Sequence, residues 1–189
     1  MPVTAEMSHE LLRKAAFACL RRQGSNWNRN KENIGFGCSL VVSEIVSAAY
    51  EVPDAIGWRY GRSVLIECKV SRADFLADAK KPHRQVTGGV GERRYFLTPP
   101  GLLLPDELPK DWGLLELHGK TVELIYQPDW NDRELTLGGH VSEKRILLSL
   151  LARIKAREFL FIDRDDMDRE LLEFATTPES KGESVTPAI

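Results

Sequence analysis

The sequence has few of the features that mark several large classes of protein. Its 189 residues include three cysteines, too few and too widely separated for a disulfide framework or a zinc cluster. No apolar run approaches the roughly 18 residues that a membrane-spanning helix needs. Residues 1–6 lack the basic and apolar parts of a signal peptide. These absences predict a cytoplasmic protein with no membrane partner.

The sequence also carries no large net charge of either sign. The 26 Lys and Arg residues face 28 Asp and Glu residues, which leaves a formal charge of -2. The total alone would argue against a nucleic-acid partner. Yet residues 69–94 hold seven basic and three acidic side chains, a charge of +4, whereas residues 158–189 hold three and nine, a charge of -6. The near-neutral sum is therefore a cancellation, and the basic segment stays a candidate for binding nucleic acid.

Hydrophobic periodicity predicts alternating helices and strands. Helices are expected over 5–22, 71–80 and from 142 onwards, and strands over 38–46, 55–60, 62–70, 94–98, 113–117 and 122–126. This order predicts an α/β or α+β fold with a mixed central sheet flanked by helices. Residues 1–160 are expected to form one domain, and residues 161–189 an acidic helix and a disordered tail.

An acid and a base stand on one face of the strongest predicted strand. Side chains alternate in a strand, so Glu67 and Lys69 share one face while Cys68 belongs to the opposite, apolar face. Asp54 follows Pro53 at the start of the preceding strand, from which its carboxylate could reach the same sheet end. Neighbouring carboxylates repel unless a cation neutralises them, and oxygen ligands suit Mg²⁺ or Mn²⁺. The pattern predicts a metal site with a lysine beside it.

These residues resemble the signature of a known nuclease superfamily. Pro53-Asp54 followed by Glu67-Cys68-Lys69 is similar to the PD-(D/E)XK motif, and the stretch 66–78 with 94–97 resembles MmcB-type DNA repair proteins and related small bacterial and phage proteins. The resemblance covers residues 41–117. It implies a restriction-endonuclease-like αβββαβ core.

The resemblance also implies roles for single residues. Asp54 and Glu67 would bind the metal ion, the Cys68 carbonyl would be a further ligand, and Lys69 would activate the attacking water. Many members add a glutamate. Glu44 is the preferred candidate because it interrupts an apolar run, and Glu10 and Glu51 are the alternatives.

Basic residues beyond the motif are candidates for contacting the phosphates that flank the scissile bond. They lie on or just after the helix that leaves the catalytic strand: Arg72, Lys80, Lys81 and Arg84. A solvated helix face is an equally good interpretation for each of them taken alone. The Gly88–Gly91 segment is interpreted as a flexible loop, with a phosphate cradle as the alternative.

The sequence thus predicts a nuclease that hydrolyses DNA with Mg²⁺ or Mn²⁺, in DNA repair, phage DNA processing or defence. The alternative is a non-catalytic module of the same fold that binds nucleic acid or a protein. RNA stays open as a substrate, and a homodimer is compatible with the sequence.

Overall fold

A computed structural model describes residues 7–23, 33–45, 52–79, 89–129 and 135–158. The elements in chain order are α1 (His9–Arg21), β1 (Leu40–Val42), β2 (Ala55–Arg59), β3 (Arg62–Cys68), α2 (Arg72–Ala79), β4 (Arg93–Thr98), a 3-10 helix (Pro105–Glu107), β5 (Trp112–His118), β6 (Thr121–Tyr126) and α3 (Leu137–Glu158). The predicted mixture of helices with a mixed sheet is confirmed.

The described strands form one six-stranded sheet in the order β1-β2-β3-β4-β5-β6. Strands β1, β2 and β3 pair antiparallel, β3, β4 and β5 pair parallel, and β5 and β6 pair antiparallel. The parallel pairing requires a crossover, which α2 supplies between β3 and β4. The carboxyl ends of β3, β4 and β5 therefore lie at one end of the sheet.

Helix α1 covers one face of the sheet. Its N-terminus is capped by Ser8, whose Oγ accepts a hydrogen bond of 3.2 Å from the Leu11 N–H. A buried stripe from the helix packs with the side chains that alternate strand residues direct to this face, including Leu12, Leu20, Ile66, Tyr95 and Leu97. Burial of this apolar surface is the main stabilising contribution on this face.

Helix α2 and residues 137–148 of α3 lie on the opposite face. The ring of Phe75 in α2 meets Phe96 of β4 edge to face, with centroids 5.3 Å apart. In α3 the carboxylate of Glu143 accepts hydrogen bonds from Ser63 Oγ at 2.7 Å and Trp58 Nε1 at 2.9 Å. Glu67 and Lys69 belong to this second face.

Several element predictions were wrong in their extent: α1 begins at His9 rather than residue 5, β3 ends at Cys68 rather than residue 70, and two further differences are larger. Strand β1 has three residues rather than the predicted 38–46, because Glu44 takes a left-handed φ of 54° and ends the extended run. Helix α3 begins at Leu137 rather than 142. The Thr136 Oγ1 accepts from Gly139 N–H at 3.2 Å, so the N-cap lies ahead of two glycines that would otherwise disfavour a helix start.

One predicted hairpin turn and one predicted helix cap are confirmed. Tyr60 and Gly61 connect β2 to β3 with φ of 51° and 75°, the positive pair of a two-residue hairpin turn. Ser71 precedes α2, and its Oγ accepts from the Asp74 N–H at 3.2 Å as the capping prediction requires.

The chain divides into two compact units, Met1–Leu148 and Ser149–Ile189. Of the second unit the structure describes only the continuation of α3 to Glu158. The predicted boundary at residue 160 stays a prediction, since residues 159–189 lie outside the described part. No helix among the described residues has the length and apolar character needed to cross a membrane.

Candidate active site

Asp54 stands at the entrance to β2, where the sequence prediction placed it. Strand pairing matches Ala55 with Ile66, and one further step along this antiparallel register brings Asp54 beside Glu67. The Asp54 Oδ2 accepts a hydrogen bond of 2.8 Å from the Cys68 N–H, which fixes the carboxylate at the end of β3. The first of the predicted metal ligands therefore lies at the same sheet end as the second.

Glu67 and Lys69 are buried side by side on the α2 face. Their exposed fractions are 4% and 3%, and Lys69 Nζ lies 3.8 Å from Glu67 Oε2. The Lys69 N–H donates to the Leu97 carbonyl at 3.0 Å, so the backbone continues the parallel pairing beyond the last residue of β3. Alternation along the strand predicted the correct face for both side chains, and the structure brings their charged groups within 3.8 Å of each other.

Asp78 is a member of this cluster that the sequence interpretation missed. Its Oδ1 lies 3.4 Å from Lys69 Nζ, and only 2% of the residue is exposed. Asp78 follows Phe75 by three residues on α2, and residues at this spacing share a helix face. The sequence did contain an indication of this position, because an aspartate three residues after a core phenylalanine lies on the same buried face of a helix.

Cys68 is part of the core, as predicted. Burial raises the pKa of its thiol well above the usual value, and the neighbouring carboxylates Asp54 and Glu67 raise it further. The thiol is therefore kept protonated and is unsuited to act as a nucleophile. Any part that Cys68 takes in metal binding falls to its backbone carbonyl.

Two of the candidates for a third acid, Glu10 and Glu44, lie beside Arg13 of α1. Arg13 contacts both Glu10 and Glu44, and Glu44 is largely exposed. Glu51 lies outside the described residues. The preference for Glu44 stays a prediction. No local pattern in the sequence indicates that Arg13 contacts both Glu10 and Glu44.

His9 at the start of α1 contacts the site, which the sequence did not suggest. Its Nε2 lies 3.3 Å from Asp54 Oδ1, and about half of its side chain is exposed. Since α1 packs against β2 and β3, its first residue comes to the sheet end at which Asp54 lies. Sequence spacing alone could not have found this contact.

Arg72, a predicted phosphate contact, is held by an acid in the structure. Its guanidinium forms a bidentate ion pair with the Glu107 carboxylate and donates a hydrogen bond to the Leu102 carbonyl at 3.2 Å. The pairing lowers the pKa of Glu107 to about 2. Arg72 therefore ties the start of α2 to the 3-10 helix. Lys80, Lys81 and Arg84 lie outside the described residues.

The end of the glycine-rich segment binds a carboxylate of the protein itself. Gly91 has a φ of 86°, and its N–H donates to Glu143 Oε1 at 2.8 Å. The backbone N–H of Gly91 is therefore occupied by Glu143; the flexible loop stays a prediction, and Gly88 lies outside the described residues. The aromatic residues of β4 pack against other rings: the centroids of Phe96 and Trp112 are 4.2 Å apart in a stacked arrangement, and those of Tyr95 and Phe36 are 5.1 Å apart.

Asp54, Glu67 and Cys68 bring oxygen donors to one sheet end. Within the described ranges no group of three or more His, Cys, Asp and Glu side chains is arranged to hold a metal ion. Mg²⁺ is often held by one or two carboxylates, with water and substrate phosphate completing its shell. Asp54, Glu67 and the Cys68 carbonyl supply hard oxygen donors of that kind.

Comparison with known proteins gives one structural similarity and no function. Neither a protein-family model nor a curated protein matches the sequence. Among solved structures, the chain is similar to the SPO1766 protein of unknown function from Silicibacter pomeroyi. The two share 28% sequence identity over 63% of this chain and 80% of that one, with a TM-score of 0.45.

Proposed function

We propose that the protein is a divalent-metal-dependent nuclease that hydrolyses phosphodiester bonds in DNA. One observation carries the proposal: Asp54, immediately before β2, and Glu67 on the paired β3 lie at one sheet end, with the buried Lys69 ammonium 3.8 Å from Glu67. Burying charge is unfavourable unless something is gained from it. Phosphodiester hydrolysis by a metal ion, two acids and a lysine accounts for all three side chains.

The order of elements supports a restriction-endonuclease-like core of the PD-(D/E)XK kind. A helix, three antiparallel strands, a helix and a parallel strand follow one another from α1 to β4. This is the αβββαβ order that the motif resemblance implies. The fold proposal therefore rests on the topology together with the placement of the motif at the end of β3.

The chain's own residues take distinct roles in this proposal. Asp54 and Glu67 would hold Mg²⁺ or Mn²⁺, with the Cys68 carbonyl as a further ligand. A bound divalent ion would lower the pKa of a water molecule and polarise the phosphate. Lys69 orients the attacking water and stabilises the negative charge that develops on the phosphate oxygens. Asp78 positions Lys69, because its carboxylate is 3.4 Å from the ammonium.

The proposed substrate is DNA, with Lys80, Lys81 and Arg84 contacting backbone phosphates beyond the site. Arg72 would contact a backbone phosphate only by giving up its ion pair with Glu107. Carboxylate and phosphate both bind a guanidinium in a bidentate manner, so the exchange is chemically matched. DNA repair, phage DNA processing and defence are the proposed settings, and RNA is the alternative substrate. A homodimer is compatible with the proposal.

The alternative function is a non-catalytic module of the same fold that binds nucleic acid or a protein. The contact between Lys69 and Asp78 favours it, because a buried ion pair can be retained for structural specificity alone. The two functions differ in what Glu67 is needed for. A nuclease needs its negative charge for cleavage, whereas a binding module needs it only for folding.

Cleavage of end-labelled DNA tests the proposal. Single-stranded, nicked and branched DNA would be incubated with the protein and Mg²⁺ or Mn²⁺, with EDTA as the metal-free arm. We expect metal-dependent cleavage by the wild type, reduced on the order of 10²-fold or more in Asp54→Asn, Glu67→Gln and Lys69→Met. Glu116→Gln is the matched control, because Glu116 is also buried on this face, two strands away.

The variants must be shown to be folded, since removing one partner of a buried ion pair destabilises a protein. Circular dichroism and thermal melting supply that check. A folded wild type that binds DNA and cleaves none of these substrates with either metal would reject the nuclease in favour of the module. Cleavage that persists undiminished in Glu67→Gln would reject the proposed site.

A further inference from the structure

The β2–β3 hairpin ends in an exposed aromatic residue at a strained position. Tyr60 is 89% exposed, and its φ of 51° lies in the left-handed region. Two-residue hairpin turns of this type favour asparagine or aspartate before glycine, and a bulky side chain is unfavourable there. The turn alone therefore gives no reason for a tyrosine.

The two strand residues next to this turn are a second unfavourable feature. Arg59 and Arg62 are directly opposite each other in the antiparallel pairing. Like charges in this relationship destabilise a hairpin. Arg59 is fixed in place, because it donates to the Phe36 carbonyl at 3.1 Å and its guanidinium lies 4.8 Å from the centre of the Tyr60 ring.

Further arginines lie toward the same end of the sheet as the turn. Val64 pairs with Arg93, which places Arg93 beside the start of β3. Burial lowers the pKa of the Arg93 guanidinium, and the nearby positive charge of Arg62 lowers it further. Helix α1 ends at this side with the exposed Arg21 and Arg22, and the Arg22 carbonyl accepts from the Gly37 N–H at 2.8 Å. Glu92 is the nearby acid, and its Oε2 accepts from the Ser63 N–H at 3.1 Å. We call this region, Arg21, Arg22, Arg59, Tyr60, Arg62 and Arg93, the arginine end.

We propose that the arginine end is a binding surface for single-stranded DNA. Tyr60 stacks on a base, and the arginines around it contact backbone phosphates. A nucleic-acid ligand explains both unfavourable features, because phosphate neutralises the facing arginines and a base covers the exposed ring. An exposed aromatic side chain amid positive charge is how proteins bind single strands, whose bases are free to stack.

This surface is distinct from the candidate active site. The arginine end lies at the start of β3 and Lys69 just beyond its last residue, so the two are separated by about 23 Å of strand at about 3.3 Å per residue. The proposal rests on the proposed nuclease function only for the choice of DNA over other anionic polymers. A substrate bound at both places would need to be longer than the few nucleotides around a scissile bond.

Two substitutions separate binding from folding. Tyr60→Asn supplies a residue that favours the left-handed turn, and Arg62→Glu places an opposite charge across from Arg59. We expect both variants to melt at a higher temperature than the wild type and to bind a labelled single-stranded oligonucleotide about tenfold or more weakly. Lys120→Glu, at the exposed β5–β6 turn, makes the same charge change away from the arginine end and should leave affinity within about twofold.

Fluorescence anisotropy in EDTA measures the affinity without cleavage. Arg62→Glu should also lower the salt dependence of binding, by about 0.7 in the slope of log affinity against log salt for each lost phosphate contact. Wild-type affinity retained in Tyr60→Asn and Arg62→Glu would overturn the proposal. Duplex DNA or single-stranded RNA bound more tightly than single-stranded DNA, with the same sensitivity to Tyr60→Asn, would overturn the choice of ligand.

The two proposals fail separately. A wild type that never cleaves DNA but loses single-strand binding on Tyr60→Asn would reject the nuclease and support the arginine end. Metal-dependent cleavage with no effect of either substitution on binding would do the reverse.

Discussion

Lys69 Nζ and Asp78 Oδ1 lie 3.4 Å apart between the sheet and helix α2, and both side chains are almost fully buried. The lysine comes from the end of β3 and the aspartate from the helix that follows it. The pair therefore couples the helix to the sheet at the candidate active site. It makes the position of Lys69 depend on the packing of α2.

Asp78→Asn should destabilise the protein. Removing one charge of a buried pair leaves the other less well compensated, and losses of about 3 kcal/mol are typical. Urea unfolding measures the change in the free energy of unfolding. Asp74→Asn, one helical turn earlier and only half-buried, is the matched control and should change the free energy by about 0.5 kcal/mol or less. Equal effects of the two substitutions would contradict a special role for Asp78.

Glu143→Ala should release α3 from the sheet. The Glu143 carboxylate accepts from Trp58 Nε1, Ser63 Oγ and the Gly91 N–H, so truncation leaves three donors without this acceptor. We expect a loss of about 3 kcal/mol in the free energy of unfolding, since buried unsatisfied donors are each unfavourable. Hydrogen exchange at the Gly91 amide should accelerate in the same variant. A change below about 0.5 kcal/mol would show that α3 is held by other contacts.

The ion pair of Arg72 with Glu107 should make stability depend on pH in the acid range. The folded-state pKa of Glu107 is lowered from 4.5 to about 2, so the pair contributes fully above pH 4.5 and is lost as the pH falls through 2. The stability difference between wild type and Glu107→Gln should therefore shrink from pH 5 to pH 2. NMR titration of the Glu107 carboxyl carbon gives the pKa directly, and high salt should weaken the effect because the pair is at the surface.

All three cysteines should resist thiol reagents in the folded protein. Burial raises the pKa of Cys19 to about 12 and of Cys38 to about 11, and it raises that of Cys68 as well. The thiolate is the reactive form, so labelling by iodoacetamide at pH 8 should be slow until urea unfolds the chain. Rapid labelling of Cys68 in the native state would contradict its assignment to the core.

Local sequence patterns correctly predicted the features that depend on interactions between residues close in sequence. Alternation in β3 placed Cys68 in the core and Glu67 and Lys69 on the other face. Ser71 identified the start of α2, and Tyr60-Gly61 identified the hairpin turn. In each case the deciding interaction joins residues that are near in sequence, so the sequence carries the information directly.

The errors arose where a distant partner decides the outcome. Strand β1 was predicted too long because nothing near Glu44 signals that its backbone N–H bonds to the Pro53 carbonyl at 3.1 Å. The helix was predicted from residue 142, where its apolar stripe lies, whereas α3 begins at Leu137 behind the Thr136 cap and includes two glycines of low helix propensity. Packing against the sheet through Glu143 supplies the stabilisation that those glycines lack.

Periodicity and residue chemistry were enough to predict the α/β class, the alternation that sets the faces of β3, and the candidate acids and lysine. The contacts between elements follow from the folded arrangement: Asp78 with Lys69, His9 with Asp54, Glu107 with Arg72, and Arg59 with Tyr60 beside the facing Arg62. These contacts join residues from different elements. Their partners are selected by the sheet order and by helix packing, which local sequence does not encode.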